Sequence, residues 1–424
     1  MPSDPSQLEQ VLADQEAIQQ WQDELYVHFH RNPELSFVEH ETHDRIAEEL
    51  RAIGVDEIEE HIGGTGLVGV LRNGDGPTIL MRADIDALPV QELTGLEYAS
   101  TAVGTSFDGE TSPVMHACGH DVHISALLGA VRLLAAHRDA WWGTFVALFQ
   151  PAEERAGGAL AMVDDDLASR IPRPDVAFAQ HVGPKPAGQV HACVGSAYSR
   201  ADSIKVTVFG RGGHGSAPHT TVDPAVLAAM IVLRLQTIVS RETRPGEFAV
   251  VTVGRLQVGT KVNIISDRAV LDVNVRSYDD DVHARLLSAI ERIVRAECEA
   301  SGSPTEPTFE YYDRFPVTVN DLEVTERVRS AFASAFGDHY VEDLPTTGSE
   351  DFSEIPKAFE IPYCYWNVGG VDRETYRDAE KRGVLASEIA GNHSPFFAPV
   401  MHPTLQAATK TIVVVALDWL GKKG

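Results

Sequence analysis

The sequence predicts an α/β fold with a largely parallel sheet, interrupted by an inserted βαββαβ unit of the ferredoxin-like kind. Three observations predict it. Two largely apolar runs, Thr144–Gln150 and Val176–Gln180, suit strands covered on both faces of a parallel sheet. The rhythm changes near residue 198 to strand, helix, strand, strand, helix, strand. After residue 313 helix–strand alternation resumes, as if the first sheet were being completed. The expected domains are therefore 1–197 and 314–424 together, with 198–313 inserted. The 424-residue length is ample for two cores, and 43% hydrophobic content excludes a disordered chain.

Each element has a local reason. Residues 7–29 place Leu8, Val11, Leu12, Ile18, Leu25 and Phe29 near one helical face. A second helix at 41–53 ends at Gly54, a good C-terminal stop. Strands follow at 67–72 and 78–83, then a polar loop at 100–114. A helix beginning near Asp121 lines up Ile124, Leu127, Leu128, Val131 and Leu134. Within the insertion, 203–210 alternates as a strand. Asp223-Pro224 opens a helix running to about Ser240, because Asp caps and Pro suits the first turn. Strands near 248–257 and 268–277 precede a helix at 280–302, whose acidic start Asp279-Asp280-Asp281 suits the helix dipole. A strand near 306–312 closes the insertion, and 403–420 reads as the last helix.

Composition narrows function. A formal charge of −27, from 35 basic and 62 acidic residues, repels phosphate backbones and anionic membranes, so neither nucleic acid nor membrane is an expected partner. No run approaches the roughly 20 apolar residues of a membrane span. The opening MPSDPSQLEQ lacks a signal peptide's basic start and apolar stretch. Cys118, Cys193, Cys298 and Cys364 are too widely spaced for a disulfide framework. Reducing cytoplasm is the expected setting.

The chemistry gathers where strands end. Asp84-Ile85-Asp86 follows 78–83, Glu153-Glu154 follows 144–150, and His181 follows 176–180. Open α/β sheets build sites at such ends. The segment Met115-His116-Ala117-Cys118-Gly119-His120-Asp121-Val122-His123 is the strongest single signal, since thiolate and imidazole are good zinc donors and glycine allows a tight bend. Read alone, it also admits the less favoured reading of a histidine-rich helix start with a buried cysteine. Paired acids such as Glu153-Glu154 usually mark a solvated helix start. Here they leave an apolar strand directly, so one could bind metal while the other takes a proton. His181 and His393 read alone as a core histidine and a loop residue.

Taken in order, HRNPELSFVEHET (30–42), MRADIDALPVQE (81–92), MHACGHDVH (115–123), QPAEE (150–154), QHVGP (180–184), GRGGHGSAPH (210–219), VNIISD (262–267), GSEDFS (348–353) and GNHSPFF (391–397) resemble the M20 metallopeptidase family. Within it they resemble the amidohydrolase branch of hippurate hydrolases, indole-acetyl-amino-acid hydrolases and bacterial aminoacylases. The resemblance implies hydrolysis of the amide bond of N-acyl amino acids. The alternatives are dipeptidase or carboxypeptidase activity on the same fold, and a catalytically inactive metal-binding homologue, against which the intact Glu153 and five ligands argue. It implies two divalent ions, zinc first with manganese or cobalt as alternatives, held by Cys118, His120, Glu154, His181 and His393. Glu153 is implied as general base and His214 as a donor to the reacting carbonyl oxygen, in a partner subunit's site. Asn263 and Arg276 are implied substrate-carboxylate binders. The insertion is implied to be a lid through which the chain forms a homodimer. The wider family's His-x-Asp motif is Asp84-Ile85-Asp86 here, so Asp86 is expected to orient a ligand from behind and Asp84 has no assigned role. Five donors suffice for two ions if one bridges, and a thiolate such as Cys118 can.

Overall fold

The computed structural model describes residues 5–421. Its backbone contacts separate two units: Met1–Ala197 with Val319–Pro345 and Asp351–Gly424, and Tyr198–Thr318 with Thr346–Glu350. The smaller unit thus runs past residue 313 and takes back a short segment from the later part of the chain.

In the larger unit, an eight-stranded sheet has the order Glu57–Ile62, Gly66–Asn73, Gly143–Gln150, Thr78–Asp84, Val176–Pro186, Tyr363–Val371, Val190–Ala192, Tyr340–Glu342. The four strands from Gly143–Gln150 to Tyr363–Val371 are mutually parallel, and antiparallel pairs flank them. Gly143–Gln150 is buried along its entire length, as its unbroken apolar sequence requires. The helices His120–Ala136 and Met401–Leu420 contribute to the core covering this sheet, with Leu127, Val131, Val413 and Leu417 fully or almost fully buried.

Two boundaries differ from expectation. The helix expected at 7–29 is two helices, Pro5–Leu12 and Gln19–Arg31, joined by turns. Between them the side-chain amide of Gln15 donates to the carbonyl of Gln406 at 2.8 Å, a contact between segments far apart in sequence. The strand expected to stop before His181 continues to Pro186, because Tyr363–Val371 pairs with it in parallel well beyond that point.

In the smaller unit, strands Arg200–Phe209, Ala249–Val258, Arg268–Ser277 and Thr308–Phe315 alternate with helices Pro224–Thr237 and Asp280–Ala300. The sheet order is Ala249–Val258, Arg268–Ser277, Arg200–Phe209, Thr308–Phe315, antiparallel throughout. Both helices start where the sequence places them: the Asp223 carboxylate accepts from Ala225 N at 2.8 Å, and that of Asp279 from Val282 N at 2.8 Å. One expectation is corrected. Pro224–Glu242, with its last turn, is long and apolar enough to cross a membrane by length and composition. It instead buries Leu227, Ala228, Ile231, Leu235 and Ile238 in the core of this unit. Its other face leaves Val226, Met230 and Leu233 exposed.

Candidate metal centre

Three chain turns build the site of the larger unit. The first is Cys118-Gly119-His120. Gly119 has φ +83°, and a Cβ there would lie 2.4 Å from a Val182 methyl. Only glycine meets both demands, and it delivers Cys118 beside the first residue of helix His120–Ala136. The second turn follows Gly143–Gln150: Ala152 takes φ +47° and sends Glu153 and Glu154 into a short 3-10 turn. The third is Asn392-His393, where His393 at φ +69° has its N–H bonded to the Ala117 carbonyl at 2.8 Å. The Asn392 amide also donates to the Cys118 and Val182 carbonyls, both at 3.1 Å.

These turns, with the strand Val176–Pro186 that carries His181, bring together all five expected ligands. The donor atoms of Cys118, His120 and His181 lie within 4.8 Å of one another, as do those of Cys118, Glu154 and His393 and those of His120, Glu153 and Glu154. Cys118 Sγ is 3.4 Å from His181 Nε2, and His393 Nε2 is 3.3 Å from Glu154 Oε2. His120 Nε2 lies 3.8 Å from Glu154 Oε1. Cys118, His120 and Glu154 are each common to two of these three-donor sets.

Hydrogen bonds set the imidazoles. His120 Nδ1–H donates to the Asp86 carbonyl at 2.8 Å, and His181 Nδ1–H to the Val182 carbonyl at 2.7 Å. Their Nε2 atoms therefore face the other donors, the usual arrangement for a ligating histidine. His123 is different. Its Nε2 accepts from Val182 N at 2.8 Å, so its Nδ1–H donates to Asp84. Both nitrogens are used, and His123 is a brace rather than a ligand. Asp84 also accepts from Arg82 Nη1 at 2.6 Å, while Arg82 Nε donates to Gln150 at 2.9 Å. Arg82 and Asp84 are completely buried. Nothing in the local sequence signals this pair, because Arg82 sits inside an apolar strand. Asp86 accepts from Ser36 Oγ at 2.7 Å and from Glu154 N at 3.0 Å, so it orients both His120 and the Glu154 turn.

The donor set fits metal ions. His120 Nε2 and Glu154 Oε1 are buried with no hydrogen-bond partner, which is costly unless a ligand serves them. Burial, then Glu154, Glu153 and Asp84, push the Cys118 thiol well above its usual range. Burial alone would lower His120, yet Asp84, Asp86 and Glu154 raise it to about 10. Burial and His123 hold His181 well below its usual value. Without a cation the pocket relies on protons to offset crowded carboxylates, and divalent ions would replace them.

The residues 80–381 match the model of peptidase family M20/M25/M40. The chain belongs to this family. It is 37% identical over 395 residues to thermostable carboxypeptidase 2 of Saccharolobus solfataricus, covering 92% of this chain and 93% of that one. It is 37% identical over 340 residues to hippurate hydrolase of Campylobacter jejuni, covering 79% and 85% respectively. A Bacillus subtilis crystal structure described as a dinuclear metal binding peptidase from the M20 family superposes with a TM-score of 0.73 at 26% identity, covering 95% of this chain and 98% of that one. This M20 protein is accordingly a hydrolase.

The remaining expected residues lie in the smaller unit. His214 and Asn263 are neighbours there: Gly213–His214 pairs with Ile264–Ile265, and Gly215 N donates to the Asn263 carbonyl at 2.9 Å. His214 is exposed, and its Nδ1 accepts from Ser216 N at 3.1 Å. Arg276 stands on the strand Arg268–Ser277. It donates to Asn274 Oδ1 at 2.9 Å and to the Thr347 carbonyl and Ser349 Oγ, both at 3.0 Å.

Proposed function

We propose that this enzyme hydrolyses the amide bond of N-acyl-L-amino acids, releasing a carboxylic acid and a free amino acid. The observation that carries the reading is the convergence of Cys118, His120, Glu154, His181 and His393 with Glu153 among them. Cys118, His120, Glu154, His181 and His393 would hold two divalent ions, zinc first by its preference for mixed sulfur, nitrogen and oxygen donors. Such ions would polarise the amide carbonyl and make water acidic enough to be deprotonated near neutral pH. A thiolate such as that of Cys118 would be able to serve both ions, so that five donors suffice.

Glu153 takes the proton of the attacking water and returns it to the departing amine. Its neighbour Glu154 is turned to ligation by its main-chain bond to Asp86, so adjacent carboxylates divide two tasks. His214 donates to the carbonyl oxygen as negative charge develops there, in the site of a partner subunit. Arg276 and Asn263 receive the substrate carboxylate, the Arg fork matching it in two bonds.

The smaller unit, expected at 198–313 and delimited as Tyr198–Thr318 with Thr346–Glu350, acts as a ferredoxin-like lid and dimerisation domain. Its strand order supports this, as does the exposed stripe Val226, Met230 and Leu233 at helical spacing on an apolar helix. An acidic chain with four free cysteines suits a cytoplasmic setting. The similarity to a carboxypeptidase favours peptide substrates as the second reading. The test is a panel of N-acetyl and N-benzoyl amino acids against dipeptides on zinc-loaded protein, with Glu153→Gln beside it. Acyl substrates should turn over faster, and Glu153→Gln should keep its metal while losing most of kcat. Retention of more than about a tenth of native kcat would remove Glu153 as base.

A further inference from the structure

The motif His30–Thr42 has no part in the chemistry above, yet it touches the site's supports repeatedly. His30 Nδ1 pairs with Asp121 at 2.6 Å, next to His120. Ser36 bonds Asp86. The Glu34 carbonyl accepts from Ala87 N at 2.8 Å. Glu39 is the most telling contact. It is completely buried and stands at the N-cap of helix His40–Ile53, where an acid would ordinarily serve its own helix. It makes no cap bond. The Glu34 carboxylate does that work instead, accepting from Thr42 N at 2.7 Å and Glu41 N at 3.2 Å.

Glu39 is thereby free to face the site. Its Oε1 accepts from Ala152 N and Phe37 N, both at 2.9 Å, and its other oxygen accepts from Thr65 Oγ1. Ala152 is the non-glycine residue at φ +47° that launches Glu153 and Glu154. A left-handed alanine is strained and persists only where its surroundings hold it. We infer that Glu39 is a positioning residue: its carboxylate pins the strained Ala152 peptide and so sets the aim of the Glu153-Glu154 pair. This rests on the reading of those two residues given above.

The test uses two replacements of similar size. Glu39→Gln keeps an acceptor for Ala152 N, whereas Glu39→Met fills the space without one. Glu39→Met should weaken zinc binding, read by chelator competition, and lower kcat with little change in KM, each loss about 10- to 100-fold. Glu39→Gln should stay within about threefold of native on both measures. Adding Ala152→Gly to Glu39→Met should recover much of the zinc affinity, because glycine adopts positive φ unaided. Simple loss of core packing at Glu39 would not be rescued in this way. Native zinc affinity and turnover in Glu39→Met overturn the inference, as do equal losses in both Glu39 variants without recovery by Ala152→Gly. If Glu39→Met does not fold, Thr65→Val removes one donor and leaves Glu39 in place; it should show a smaller loss in the same direction, and no loss overturns the inference. Retained turnover in Glu153→Gln discards the general-base reading, whereas an inert Glu153→Gln beside a native-like Glu39→Met discards this one alone.

Discussion

His120 and His123 lie one helical turn apart, and the structure separates them by their partners. His123 spends both nitrogens, on Asp84 and Val182 N, whereas His120 has a buried Nε2 without a hydrogen-bond partner. Residue types and spacing alone show two histidines in one motif and do not distinguish a brace from a ligand; only the family resemblance favoured His120. Cys118 was more legible, because a thiol beside Gly and His at a turn has few structural uses. Its thiol is held well above the usual range by burial and by Glu154, Glu153 and Asp84, so a bound cation would be needed to make the thiolate available. Cys118→Ser should therefore lower zinc content and affinity while leaving the fold intact, since a hydroxyl is a much poorer ligand. Two ions per chain with native affinity in that variant, by metal analysis and titration, would rule the thiol out. Arg82 was illegible: a buried guanidinium in an apolar strand makes sense only once Asp84 and Gln150 are seen beside it.

At the scale of elements, local chemistry predicted starts and stops better than extents. Asp223 caps its helix as read, and Asp279, read only as part of an acidic helix start, caps the other, because capping needs only residues adjacent in sequence. The strand through His181 ran longer than read, because a distant strand pairs with it. A similar distant contact holds the smaller unit together. Asp202, completely buried, accepts from His283 Nε2 at 2.7 Å and from Arg314 Nε at 2.8 Å, while Ser277 Oγ meets His283 Nδ1 at 2.9 Å. Burial raises the Asp202 carboxyl, but its bonds to His283 and Arg314 prevail and hold it below its ordinary 3.8. A carboxylate whose folded value is depressed stabilises above its unfolded value and loses that contribution as pH falls through the folded one. The melting midpoint should thus drop more steeply below about pH 4 in the native chain than in Asp202→Ala. At neutral pH that substitution should cost about 1–3 kcal/mol, since it leaves the buried His283 Nε2 without its acceptor, whereas the half-exposed Arg314 can turn to water. Parallel acid profiles for the two proteins would remove Asp202 from the account.

For the whole molecule, the question is whether one chain suffices for catalysis. The proposed roles of His214 and Glu153 in different subunits make a dimer necessary, and the stripe Val226, Met230 and Leu233 offers it a surface. Mixing His214→Ala with Glu153→Gln subunits by joint refolding should restore activity. One site of each heterodimer then carries both defects and the other is intact, so activity should reach about half the native value. Verified heterodimers as inert as either parent would show that His214 does not serve a neighbour's site.

The sequence by itself determined the family and the α/β class, and it supplied the expectation of an inserted unit and, through the family resemblance, of the five proposed donors. Those features are written in residue types at turns and strand ends, where neighbouring positions decide the outcome. Only the tertiary structure decided which nitrogen faces the donor cluster, that Asp84 is tied to Arg82 and His123, and that Glu39 leaves its own helix to hold Ala152. Each of these joins segments far apart in the chain, and a buried polar group shows its purpose only through the partner that folding brings to it.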